Sequence, residues 1–311
     1  MSSLSAKCLL IVASIIAANQ SIWARSIDLP ATDLIYGVDN RYEVEDYADL
    51  DFIQKARSVA IRISSRKLTE NREDPASYNF PARKLKQLIP QICLTERFVD
   101  EVSVGDCSGF LIAPNKLVTA GHCMIGPNEC ASNKWVFDFH EGVKTFSKSN
   151  VYSCKSIIAQ KYSYTAKEVN DYAVILLDRN VEGRTPLSFR KFGVVDHETP
   201  LVVIGHPMGL SQKITDGARV TKMNDIELET RIHSWLLRQN YFTANLDSYG
   251  GNSGSPVFNK DTGTVEGILI QGADDFFYNE EKHCLESRHF SDSSKNSYEK
   301  VMRITRVPNI N

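Results

Sequence analysis

Apolar residues come along this chain in short bursts, and the spacing inside each burst separates strands from helices. Residues 57–64, "RSVAIRIS", alternate apolar and polar and are rich in β-branched side chains, as a half-buried strand requires. "CSGFLIAPNKLVTAGHC" (107–123) holds two apolar runs split by the turn residues "APNK", and "KWVFDFH" (134–140) alternates again. "DYAVILLD" (171–178) and "PLVVIGHP" (200–207) are near-continuous apolar runs, the pattern of buried strands. "VFNKDTGTVEGILIQG" (257–272) reads as a hairpin turning at "NKDTG". Many short strands joined by Gly, Pro, Asn and Asp turns predict an all-β protein. Two groups of strands flank a turn-rich stretch over 181–197, so two antiparallel β-barrels are the simplest division, 51–185 and 186–311, the second with a tail. Helical signals are few. A short helix is expected within 82–88, and another over 293–304, where Ser293 would cap a charged first turn.

Outside the strands the chain is polar. Residues 65–101 are charged, contain Pro75, Pro81 and Pro90, and look like a long insertion decorating the first barrel. Residues 25–50 are acidic and irregular, an N-terminal arm or a propeptide region. Ahead of them, Lys7 precedes the apolar run 8–18, then polar Asn19 and Gln20 and a small residue at Ala24. A positive start, a short apolar stretch and a small residue at the end make a secretory signal peptide over 1–24, cut after Ala24 or, as a second choice, Ala18. The run falls short of the ~20 residues of a membrane span, and no later stretch approaches that length. The expectation is therefore a secreted or periplasmic protein without stable membrane insertion.

Composition and charge narrow the function by exclusion. The chain has 311 residues, 42% hydrophobic and 24% charged, enough for substantial cores. A net charge of −2 gives no basic footprint for nucleic acid. Loss of Cys8 with the signal leaves Cys93, Cys107, Cys123, Cys130, Cys154 and Cys284, an even number suited to three disulfides in an oxidising compartment. There is no CxxC, and the adjacent His283 and Cys284 are too little for a metal site, so no metal or other cofactor is expected.

The candidate chemistry sits in "YGGNSGSPVFN" (249–259), where glycines crowd around Ser253. A glycine-serine cluster ahead of a strand is ordinarily a turn. A serine hydroxyl becomes a nucleophile only when a base takes its proton and an acid orients that base. Two residues at strand edges fit those roles: His122, ending the apolar run "LVTAGHC", and Asp171, entering the run "NDYAVILLD". Asp178 is a rival for the acid, but it follows the apolar run where Asp171 enters it. The remaining histidines, 140, 197, 206, 233, 283 and 289, read as surface or turn residues.

The three segments "CSGFLIAPNKLVTAGHC", "NDYAVILLD" and "GGNSGSPVF", in the order His, Asp, Ser, resemble the trypsin/chymotrypsin superfamily of serine peptidases. Asn252 before the serine is similar to its bacterial branch, which includes the glutamyl endopeptidases. The resemblance covers roughly 35–272. It implies a chymotrypsin-like pair of barrels with the active site in the cleft between them, and protein or peptide substrates. His122, Asp171 and Ser253 would be the catalytic residues, with the backbone N–H groups of Gly251 and Ser253 as oxyanion hole. The "AGHC" context also suggests that Cys123 bonds Cys107; the pairing of the other four cysteines stays open.

On the same resemblance Asp247, six residues before Ser253, would lie at the base of the specificity pocket and bind Lys or Arg, with Gly272 keeping the entrance open. Glutamyl enzymes carry a histidine where this chain has Leu269, so cleavage after basic residues is favoured, with acidic or small-residue specificity as the alternative. A non-catalytic binding protein on the same fold is the reading from another class. Asn252 is uncharged, so it cannot form the salt bridge that activates trypsin-type zymogens. "IYGVDNR" (35–41) resembles the start of mature bacterial relatives, which points to a maturation protease acting nearby.

Overall fold

Six strands close into the first barrel in the order Val151–Tyr164, Val169–Leu177, Lys116–Thr119, Cys107–Ala113, Val59–Ser64 and Asn133–Val136. Every pairing in it is antiparallel. A second ring runs through Pro200–Gly205, Pro256–Asn259, Val265–Gln271, Glu299–Arg303, Tyr241–Ala244 and Lys213–Lys222, and closes by pairing the last with the first. The protein thus has the chymotrypsin-like architecture of two closed six-stranded barrels. These details come from a computed structural model, which describes residues 35–165, 169–222, 240–272, 274–291 and 299–310. The expected signal peptide and the first part of the helix expected over 293–304 lie outside the described residues.

Eight of the twelve barrel strands fall on the runs expected from the sequence; Val151–Tyr164, Lys213–Lys222, Tyr241–Ala244 and Glu299–Arg303 lie outside them. "YAVIL" is buried almost throughout, and Val118, Phe110, Val202, Ile204 and Phe258 are inaccessible to solvent. One apolar cluster runs from the first barrel through Phe52 and Phe258 into the second, ending on Met302 and Ile304. The two barrels therefore share a core.

Two expectations need correction. Where the second half of a helix was expected, Glu299–Arg303 is a strand. Val301 packs into one apolar cluster and Met302, its neighbour in sequence, into another. Consecutive residues buried on opposite faces suit a period of two, not 3.6, and the open edges of two strands supply the hydrogen bonds. The 65–101 insertion, expected as decoration, carries its own core. Leu85, at the start of the four-residue helix Leu85–Leu88, packs with Ile92, Val99 and Leu210 of the second barrel. Cys93 bonds Cys284, tying the insertion to the hairpin of Phe276–Asn279 and Cys284–Ser287. Cys130 bonds Cys154.

The N-terminal arm is also part of the fold. Arg41–Glu43 adds a seventh strand beside Lys213–Lys222, and Ile35–Tyr36 pairs with His289–Phe290.

Candidate active site

His122 sits just past Lys116–Thr119, where the strand gives way to a single turn of 3-10 helix over Gly121–Met124. Asp171 is the third residue of Val169–Leu177 and fully buried. Its two oxygens hold the histidine twice. Oδ1 accepts from the His122 backbone N–H at 2.9 Å and Oδ2 pairs with Nδ1 at 2.8 Å. A carboxylate accepts only, so Nδ1 carries the proton and Nε2 is the free basic nitrogen. Tyr164 donates its hydroxyl to the same Oδ2 at 2.9 Å. Burial and the neighbouring Asp171 charge raise the phenol's pKa, which keeps it a donor. The Tyr162 ring meets the imidazole edge-on, centroids 5.9 Å apart. Neither tyrosine stood out in the sequence; their placement in "KYSYTAK", across from Asp171 in the antiparallel ladder, was the available signal.

Cys107 and Cys123 form a disulfide, and their sulfurs lie within 4.8 Å of a His122 ring nitrogen. Bonded to each other, the sulfurs offer no thiolate, so this is a clamp on the histidine segment and not a metal site. The same clamp reaches Ser253. Ser108, next to Cys107, donates its N–H to the Ser253 carbonyl at 2.8 Å, and Cys123 Sγ lies 3.8 Å from that oxygen. The backbones carrying His122 and Ser253, 131 residues apart in the chain by their numbers, are thus fastened to one disulfide.

The glycines around Ser253 are forced by geometry. Gly251 and Gly254 both have φ of +91°, a region that disfavours side chains. A Cβ on Gly254 would lie 2.0 Å from the Ser108 carbonyl oxygen. Most amides of the resulting loop are already bonded. Gly250 N–H goes to the Asp275 carboxylate, Asn252 N–H to Tyr249 O, Gly254 N–H to Leu269 O and Ser255 N–H to Asn252 O. The N–H groups of Gly251 and Ser253 meet no acceptor among the described residues.

A cavity of about 240 Å³ opens beside Ser253, walled by Tyr249, Leu269, Gln271, Gly272, Asp274 and Asp275. Gly272 is at this cavity, but Asp247 is not among its walls. The Asp247 carboxylate is buried beneath the N-terminal arm, where Oδ1 accepts from Tyr36 N–H at 2.7 Å and Oδ2 from Asn40 N–H at 3.0 Å. The structure thus places the Asp247 carboxylate against the backbone of the arm and not in this cavity, where the sequence led us to expect it. Two acids do line the cavity, Asp274 and Asp275; Asp275 is half-buried, its carboxyl pushed up to about 6 by burial against the opposing pull of the Gly250 amide. His206, expected at a turn, does begin one, but it is buried, and burial pushes its imidazole down to about 3.

Comparison with known proteins gives the family. The model of the trypsin-like peptidase domain matches residues 107–268, which hold His122, Asp171 and Ser253. No curated protein matches. Among solved structures, a Glu endopeptidase in complex with MPD is 17% identical, with 83% of this chain and 94% of that one covered and a TM-score of 0.47. The Vibrio cholerae VesB protease is 13% identical over 88% of this chain and 64% of that one, TM-score 0.48. The active form of the Rv3671c protease from M. tuberculosis is 15% identical over 88% and 87%, TM-score 0.46. With more than half of its length matched by that domain, this chain belongs to the trypsin-like peptidases: it is a serine peptidase, a hydrolase of peptide bonds in proteins.

Proposed function

We propose that this is an exported endopeptidase in which His122, Asp171 and Ser253 form the catalytic triad, and that it cleaves after lysine or arginine. Ser253 Oγ attacks the scissile carbonyl while His122 Nε2 takes its proton. Asp171 holds the imidazole in the required tautomer and stabilises the imidazolium. The tetrahedral oxyanion takes hydrogen bonds from Gly251 and Ser253 N–H, the two amides that the loop leaves unspent. Collapse delivers the proton from His122 to the leaving amine and leaves an acyl-enzyme, which water then hydrolyses by the same steps in reverse. Each oxyanion donor is worth about 3 kcal/mol in the transition state.

The basic preference rests on one observation: Ser253 and the Asp275 carboxylate line the same cavity. A half-buried carboxylate there recognises an ammonium or guanidinium by charge-assisted hydrogen bonds and repels acidic side chains. Asp274, also in the wall, adds negative charge, and Leu269 offers an apolar surface to the side-chain stem. Three disulfides and the signal-like 1–24 support export into an oxidising compartment, with the mature chain starting beyond Ala24.

Fluorophosphonate labelling of the mature protein and a peptide-library cleavage profile test the two parts separately. Labelling is expected in the wild type and absent in Ser253→Ala; a folded wild type that does not label refutes catalysis. Cleavage after Lys and Arg is expected, with that preference lost in Asp275→Asn. A labelled enzyme that cuts chiefly after Glu or small residues refutes the specificity alone.

A further inference from the structure

Met208 is one of few non-glycine residues here with a left-handed backbone, φ 52°, a conformation that disfavours a side chain. It is the half-buried member of the turn 206–210, whose other residues are buried. Its N–H donates to the Gly250 carbonyl at 2.5 Å. The peptide joining Gly250 to Gly251 is planar and trans, so its C=O and N–H point in opposite directions. Holding the Gly250 carbonyl therefore turns the Gly251 N–H the other way, and that N–H is one of the two without an acceptor among the described residues.

The turn is held from two sides. Within the second barrel, the neutral His206 ring donates from Nδ1 to the Leu210 carbonyl at 3.0 Å, and Gly209 N–H reaches His206 O at 3.0 Å. From outside comes the 65–101 insertion and the segment that follows it. Ser103 donates its hydroxyl to the Met208 carbonyl at 2.6 Å, and Val104 N–H reaches Gly209 O at 2.9 Å. Leu85, Ile92 and Val99 of the insertion pack on Leu210, with the Met208 side chain against the same cluster. The Cys93–Cys284 disulfide and the reciprocal bonds of Cys93 N–H to Leu285 O and Leu285 N–H to Gln91 O fix the far end.

We propose that residues 82–104 are a brace for the oxyanion hole, and that Ser103 is a positioning residue acting through Met208 to keep the Gly251 N–H directed at the reacting carbonyl. The hydroxyl bond and the apolar cluster offset the strain at Met208. Without them the turn relaxes, the Gly250–Gly251 peptide is free to rotate, and one oxyanion donor is lost.

This proposal rests on the triad reading above, and fluorophosphonate labelling of the wild type separates the two, since failure there refutes that reading first. Given a labelling wild type, Ser103→Ala is expected to lower kcat roughly tenfold, the loss of one hydrogen bond's worth of positioning, with KM within about twofold. The inhibition constant of a peptide aldehyde, whose hemiacetal oxygen occupies the oxyanion position, should rise by a similar factor. Ser103→Thr, which retains a hydroxyl, should recover most of the loss. In a Met208→Gly background, where the left-handed backbone carries no strain, Ser103→Ala should cost less than it does in the wild type. If the alanine variant does not accumulate folded, Ser103→Cys, of similar size but a weak donor, serves the same comparison. Equal behaviour of the Ala and Thr variants, a loss confined to KM, or an undiminished Ser103→Ala effect beside Met208→Gly overturns the proposal.

Discussion

A carboxylate already occupied by two backbone amides has little to offer a substrate. That is the difference between Asp247 and Asp275, and counting residues back from the serine does not show it. Asp247 is buried with both oxygens on the arm, whereas Asp275 shares its oxygens with a single amide, Gly250 N–H, and still faces the cavity. Its raised pKa of about 6 gives a pH signature. Below that value the carboxyl is neutral and no longer attracts a cation; above it the charge is present. The ratio of kcat/KM for a Lys or Arg substrate to that for a neutral one should be flat above pH 7 and fall as pH drops through about 6. Using a ratio cancels the titration of the shared catalytic groups, and Asp275→Asn should flatten the profile. Tyr164 teaches a related lesson, since only the antiparallel pairing of its strand with that of Asp171 aims its hydroxyl at the carboxylate.

Among elements, the arm of residues 35–43 depends most on the rest of the chain. Its strands are two and three residues long, too short to persist alone. Asp247 anchors it, Arg41 stacks on Tyr249 at 4.0 Å, and Glu43 pairs with the buried Lys213. Since Tyr249 walls the cavity beside Ser253, docking of the arm supports the site directly. Burial pushes the Asp247 and Glu43 carboxyls up to about 7. A carboxyl raised by folding binds protons more tightly in the native state, so its contribution to stability falls as pH rises from about 4 to about 7. Denaturant midpoints should therefore decline across that range. Asp247→Asn, a mimic of the neutral acid, should make the decline shallower; an unchanged slope would show that the arm's anchor does not titrate there.

Taken whole, the molecule is two barrels sharing an apolar cluster, with one covalent link that spans most of the sequence. Shared cores favour a single cooperative transition over stepwise loss of barrels. Cys93 and Cys284 are 191 residues apart, the longest loop closed by any of the three disulfides. In the chain-entropy account such a loop is worth about 5 kcal/mol. Replacing both cysteines by serine should cost stability of that order in denaturant titration, more than opening Cys107–Cys123 or Cys130–Cys154, which close loops of 16 and 24 residues. An equal loss from all three would show that the closed loops do not set the ranking.

Local pattern by itself marked eight of the twelve barrel strands, because alternation and buried apolar runs are properties of neighbouring residues; it did not mark Val151–Tyr164, Lys213–Lys222, Tyr241–Ala244 or Glu299–Arg303. It also singled out His122, Asp171 and Ser253, each marked by the few residues around it. Tertiary structure alone decided which aspartates line the cavity, which cysteines pair across the chain, and that residues 299–303 join a sheet. The physical reason is common to all three. Hydrogen-bond partners and packing surfaces for these residues come from segments tens to hundreds of positions away, and no local pattern records whether a distant amide or strand edge has already claimed them.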